Sequence, residues 1–222
     1  MLQTCNLQES MSNFSDLRSR VYIAVCLIAV VMSAAIFRPM FLVCIVLVMS
    51  FVTMELFPSS LKSALPSQRK IALRVLVLVI SVLAFVAMAD LYARNQYDVA
   101  LIVACAALAD SGCYFTGRII GGPKLPASIS PNKTYAGLCG GFALVNIVYY
   151  SVACMIAPYI SPISCWQLQV LIFAAIAGDL LESKFKRILN IKDMSALLAG
   201  HGGVLDRADS TILATLAFWA MV

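Results

Sequence analysis

Long apolar runs leave this chain few ways to fold. Residues 21–37, 40–57, 71–93, 99–115, 135–157, 166–181 and about 210–222 are predominantly apolar. A helix that crosses a bilayer needs about 20 such residues, within a range of roughly 17–25. Of the 222 residues, 62% are hydrophobic and 12% are charged, against roughly 45–50% and 25% in a soluble domain. A water-soluble globule of this length cannot hide so much apolar surface. The sequence therefore predicts an all-α, polytopic transmembrane helix bundle of about seven spans. A soluble enzyme, a disordered tail and a basic nucleic-acid binder are excluded, and no nucleic-acid partner is expected. The last run is short and spans only if its helix begins before Ser210 or if the bilayer thins locally. The first run follows mixed polar residues and precedes Arg38-Pro39 rather than a small-residue cleavage site, so it reads as a retained span.

Sidedness follows from the basic residues. Numbering the connections alternately puts 14 of the 16 Lys and Arg on one side and 2, Arg38 and Arg94, on the other. The positive-inside rule then places the N-terminus and loops 58–70, 116–134 and 182–209 in the cytoplasm. The chain divides into a cytoplasmic leader (1–20), N-terminal transmembrane helices (21–98) and a C-terminal transmembrane region (99–222), which carries loops 116–134 and 182–209. The eight cysteines form no CxxC pair and mostly lie in apolar stretches, where they serve as small apolar filler.

Acidic residues are few, so each one is informative. A carboxylate within a span costs roughly 2.5–3.5 kcal/mol or more and faces a partner, a cavity or an ion. Asp90 is expected to pair with a basic residue near the interface. Asp110 falls in the cytoplasmic half of its span, Asp179 and Glu182 at the cytoplasmic end of theirs, and Asp193, Asp206 and Asp209 in the following loop and at the mouth of the last span. Asp206 and Asp209 are three apart, which on a helix puts them on one face. Two like charges so close disfavour joint ionisation unless a cation lies between them. A hard divalent cation such as Mg²⁺ resolves that conflict, binding through carboxylates and substrate phosphates. Asp206 as helix N-cap, with Asp209 in the first turn, is a compatible structural reading.

Around these acids stand Lys184, Lys186, Arg187, Lys192 and Arg207, together with His201-Gly202-Gly203. Carboxylates, cations and a glycine turn are what phosphoryl or nucleotidyl transfer requires. His201, the only histidine, is either structural or a phosphate contact. A second stretch, DSGCYFTGRIIGGPKLPASISPNKTYAGLCGG (110–141), is glycine-rich. It reads either as small residues that let spans pack closely, or as a second wall of the anion pocket with Arg118, Lys124, Asn132 and Lys133 as donors.

The stretch 183–209 resembles the signature of the phosphatidate cytidylyltransferases, also called CDP-diacylglycerol synthases. The matching residues are Ser183, Phe185, Lys186, Arg187, Lys192, Asp193, Ser195, Leu198, His201, Gly202, Gly203, Val204, Asp206, Arg207 and Asp209. Gly178-Asp179, the run Ser130-Pro131-Asn132-Lys133-Thr134, and Asp110 with Gly112 and Tyr114 also look like family features. The resemblance covers the C-terminal half, and the chain looks one or two spans short on its N-terminal side. Ala136, Ala199 and Ala208 depart from the family pattern.

The resemblance implies synthesis of CDP-diacylglycerol and pyrophosphate from CTP and phosphatidate in phospholipid biosynthesis. The enzyme would be a multi-pass protein of the cell (inner) membrane with its active site facing the cytoplasm. It implies Asp179, Lys192 and Asp206 as catalytic residues, and Asp179, Asp206 and Asp209 as ligands of one or two Mg²⁺, with a monovalent ion as well. Substrate binding falls to Lys186, Arg187, Asn132, Lys133, His201, Gly202, Gly203 and Arg207. Partners are the two substrates and the bilayer, and span packing of this kind admits a homodimer. The rival readings are a CTP-dependent lipid or polyprenol kinase and, less well supported, an ion transporter. The transporter reading suffers because the polar groups crowd one side and no span is broken by proline near its middle. A CDP-alcohol transferase needs an aspartate spacing that is absent, and a structural scaffold leaves the Lys186 to Asp209 pattern without a reason.

Overall fold

A computed structural model of the chain describes residues 38–56, 67–126, 128–130, 132–189 and 203–222. These form six helices: α1 (Arg38–Leu56), α2 (Ser67–Arg94), α3 (Gln96–Ile119), α4 (Tyr135–Ile156), α5 (Cys165–Ile188) and α6 (Leu205–Trp219). The first expected span, 21–37, lies outside the described residues. Among the described residues, four helices are long and apolar enough to cross a membrane: Ile71–Arg94 within α2, then α3, α4 and α5. Helix α1 is apolar but shorter. Helix α6 begins before Ser210, as a span there requires, yet its 15 residues reach only about 22 Å at 1.5 Å per residue. The protein is an integral membrane helix bundle. Ile71, Val75, Val79 and Val86 form an exposed stripe along α2, a surface that suits lipid and not water.

Helix boundaries follow local chemistry. Asn95 separates α2 from α3 and caps the latter, its side chain accepting from the Tyr97 N–H at 3.1 Å. Thr134 caps α4 through a 3.0 Å bond from the Gly137 N–H. At the start of α5, Gln167 Oε1 accepts from the Ser164 N–H at 2.8 Å. The segment 182–209, expected as a loop, is helical at both ends: α5 continues to Ile188 and α6 starts at Leu205.

Lipid tails are as apolar as leucine, so close backbone packing and interhelical hydrogen bonds hold such helices together. The glycines of 110–141 do the packing. A Cβ on Gly112 would fall 2.7 Å from the Gly141 Cα, and one on Gly137 2.7 Å from the Cys113 carbonyl. Helices α3 and α4 therefore meet along a glycine seam. Ile102, Leu168, Leu171, Ile172 and Ala214 fill a core with no exposed surface. Asn146 on α4 and Gln169 on α5 exchange amide hydrogen bonds of 3.2 and 3.0 Å. At the end of the bundle opposite Lys133 and Asp179, Asp90 accepts from Trp219 Nε1 at 2.8 Å and pairs with Arg94 at 2.6 Å, as its sequence reading expects. There too, Asp98 accepts from the Ser161 N–H at 2.7 Å.

Replacing Gly141 with valine should split the α3–α4 seam, because even a Cβ would lie 2.6 Å from the Ala109 carbonyl. Thermal unfolding in detergent is expected to show a loss of roughly 1–3 kcal/mol, the usual cost of overpacking; an unchanged transition would contradict the seam.

Candidate active site

Helix α6 lies unusually close to α5 at one point. A Cβ on Gly178 would come 2.5 Å from the Asp209 carbonyl and 3.1 Å from the Ser210 Cα. Only glycine lets the two backbones approach this far. The next residue on α5 is Asp179, so the contact sets its side chain beside the first turns of α6. Asp110 on α3 joins from the third side, accepting from Ser210 Oγ at 3.1 Å. Asp110, Asp179 and Asp209 lie within electrostatic reach of one another. Asp209 is further held by its own turn, accepting from the Ser210 N–H at 2.6 Å. Asp179 and Asp209 are half-buried and Asp110 is exposed.

Cations surround this cluster. Lys133 forms an ion pair with Asp179, both side chains being half-buried. The loop ahead of α4 is folded back to place it there. The Leu125 N–H donates to the Lys133 carbonyl at 2.9 Å, the Tyr135 N–H to the Pro123 carbonyl at 3.1 Å, and Leu125 is buried beneath. Positive φ at Gly121 and Gly122 lets the chain turn back out of α3. Lys186 pairs with Glu182 at 2.6 Å and lies within reach of Asp209, while Arg207 lies within reach of Asp110.

The expected residues thus separate. Asp179, Asp209, Lys133, Lys186 and Arg207 come together. Arg187 and Asn132 are exposed nearby in sequence but make no described contact with the acids. Lys192, His201 and Gly202 lie outside the described residues. Asp206 lies in the first turn of α6, and its side chain is likewise outside the description. Asp206 is not the N-cap: Val204 holds that position and α6 starts at Leu205. The reason is Glu55. Its carboxylate, 1% exposed, accepts from the Val204 N–H at 2.7 Å and the Leu205 N–H at 2.9 Å. A cap supplied by α1 replaces a local one. Gly203 lies against the same group, since a Cβ there would fall 2.7 Å from Glu55 Oε2. Sequence reasoning gave Glu55 no role and left Asp110 out of the ligand set, although an acid within an apolar run was the signal for both.

An apolar groove of about 340 Å³ opens beside these charges between α2, α5 and α6, with Ile80, Leu181, Phe185 and Leu213 in its walls and Glu182 and Asp209 at its edge. Among the described residues, no three His, Cys, Asp or Glu side chains stand close enough to ligate one ion. The donor set is nonetheless all carboxylate oxygen, which suits a hard cation, and the Lys133 ammonium already neutralises Asp179. Removing that ammonium with Lys133→Met leaves the acids to repel each other. The melting temperature in detergent should fall by about 2–4 °C per kcal/mol lost, with Mg²⁺ restoring part of it. Identical melting of wild type and variant, with and without Mg²⁺, would show that the acids share no cation-dependent site.

Known proteins are similar to this chain. A phosphatidate cytidylyltransferase of Bacillus subtilis is 39% identical over 125 residues, covering 52% of this chain and 45% of the relative. One of Pseudomonas aeruginosa is 39% identical over 127 residues, covering 55% and 47%. One of Brucella suis is 43% identical over 109 residues, covering 47% and 39%. Each match spans less than half of the relative's own length. The model of the cytidylyltransferase family, by contrast, runs over residues 4–222. With nearly its whole length matched, and with the carboxylates and cations of its second half gathered at one end of a membrane bundle, the chain belongs to the cytidylyltransferase family.

Proposed function

We propose that the protein makes CDP-diacylglycerol and pyrophosphate from CTP and phosphatidate. The observation that carries this reading is the cluster of Asp110, Asp179 and Asp209 with Lys133, Lys186 and Arg207, set beside an apolar groove. A soluble nucleotide needs the charged part, and a phosphate on a diacylglycerol needs both parts. Relatives named phosphatidate cytidylyltransferase support the choice of lipid.

In this reading a phosphatidate oxygen attacks the α-phosphorus of CTP. The bond between the α-phosphorus and the bridging oxygen breaks, and that oxygen leaves with pyrophosphate. The lipid phosphate is already ionised at neutral pH, so no base is required to create the nucleophile. Lys186, Arg187, Lys192 and Arg207, with Lys133, Asn132, His201, Gly202 and Gly203, bind and orient the phosphates of the two substrates. Asp179, Asp206 and Asp209 would hold one or two divalent ions, and such an ion supplies charge neutralisation at the departing pyrophosphate. The basic end of the bundle faces the cytoplasm, where CTP is found, and the lipid reaches the groove from the adjoining leaflet of the cell membrane.

Purified protein in detergent with labelled CTP and phosphatidate tests this directly. A labelled liponucleotide and free pyrophosphate are expected in Mg²⁺ and neither after chelation. Asp179→Asn is expected to lower turnover roughly 10²–10³-fold, the scale for loss of one preorganised charge-stabilising group. Release of CDP with phosphorylation of a lipid acceptor would replace this reading with a lipid kinase.

A further inference from the structure

Helix α6 is tied down over its first six residues by three other helices. Glu55 of α1 holds the Val204 and Leu205 N–H groups, Gly178 of α5 receives the Asp209 backbone, and Asp110 of α3 takes the Ser210 hydroxyl. The second and third contacts fall at the carboxylate cluster itself. The first does not, because Glu55 touches backbone one turn away. Its carboxylate is almost fully buried, and a carboxylate in that position is stable only while it is well hydrogen-bonded.

We propose that Glu55 is a positioning residue for the cation-binding acids, acting through the first turn of α6. The first N–H groups of a helix have no partner within it. Glu55 satisfies those of Val204 and Leu205 from outside, so it fixes both the depth and the rotation of the turn that carries Asp206 and leads to Asp209. Helix rotation translates into carboxylate displacement: Asp209 is four residues beyond Leu205, about one turn. A shift of about 1 Å at a reacting centre is enough to cost about 10²-fold in rate. The same geometry gives Gly203 a specific task. Its missing Cβ leaves the space that the Glu55 carboxylate uses, since a methyl group there would lie 2.7–2.9 Å from the carboxylate atoms. The second glycine of His201-Gly202-Gly203 thus serves the approach of Glu55, and the two N–H groups that follow it are taken by a side chain and are not open to a substrate phosphate.

Two variants probe the contact from opposite sides. Glu55→Gln keeps the shape but sets an amide donor against a backbone donor. Gly203→Ala keeps the carboxylate but pushes it aside. Mn²⁺ binding to the purified protein, read by electron paramagnetic resonance, is expected to weaken about 10-fold in each, the lower end of the usual cost of disturbing groups behind a metal site. The double variant should be no weaker than either single one, because both break one contact. Amide exchange should speed up over 203–209 and stay at the wild-type rate in α3 and α4. If Glu55→Gln does not fold in detergent, Gly203→Ala decides on the same readings. Wild-type Mn²⁺ affinity in a folded variant, strictly additive losses, or no Mn²⁺ binding by the wild-type protein would overturn the proposal. A kinetic arm rests on the cytidylyl-transfer reading: in Glu55→Gln, which alters no substrate-binding residue, the liponucleotide kcat should fall with the KM for phosphatidate unchanged. Failure of the wild type to make liponucleotide sinks that reading alone, and the Mn²⁺ and exchange measurements still decide the role of Glu55.

Discussion

The contact between Gly178 and the Asp209 carbonyl sets how closely α6 approaches α5, and with it the spacing of their acids. Any side chain at residue 178 would hold α6 away from α5 and separate Asp179 from Asp209. Their closeness is an electrostatic cost that the fold has to offset, because like carboxylates in a partly desolvated site oppose each other's ionisation. Lys133 offsets part of it through Asp179. The rest falls within the range of Lys186 and Arg207 and, in the proposed reaction, of a divalent cation. In the proposed reaction the acids would hold the cation, and Lys133, Lys186 and Arg207 beside them would offer positive charge to the substrate phosphates.

The two ends of the bundle contrast in how their polar groups are used. At the end away from Asp179, buried Asp98 is bound by Ser161 and Asn95, and the more exposed Asp90 by Trp219 and Arg94. These carboxylates have partners fixed by the fold and tie neighbouring segments together at that end of the bundle. At the other end, Asp110, Asp179 and Asp209 lie within electrostatic reach of one another, with Lys133, Lys186 and Arg207 around them. Glycine seams fall where that end needs short distances: Gly112, Gly137 and Gly141 between α3 and α4, and Gly178 between α5 and α6. An apolar groove then leads from the charged edge into the lipid-facing part of the bundle.

Much of this was legible in the sequence because lipid imposes simple rules. Apolar run length located the helices, and rare acids in those runs located the cluster. The limits have equally physical causes. The helix bounds at 182–188 and 205–209 were missed because charged residues at a membrane edge resemble a loop by composition while remaining helical. An N-cap role for Asp206 was compatible with the local sequence. The actual cap comes from Glu55, 149 residues away in sequence from Val204, and no local pattern reports such a partner. The glycines of 110–141 left two readings open. Their near-contacts support close packing, while Lys133, in the same stretch, reaches the acids.

The most direct test of a cation shared by Asp179 and Asp209 is Mn²⁺ affinity in Asp179→Asn, Asp209→Asn and the double variant, measured by electron paramagnetic resonance on folded protein. One shared site predicts that each single change weakens binding severely and that the double change adds little. Near-wild-type affinity after either single change would contradict it and would separate the two carboxylates in function as well as in sequence.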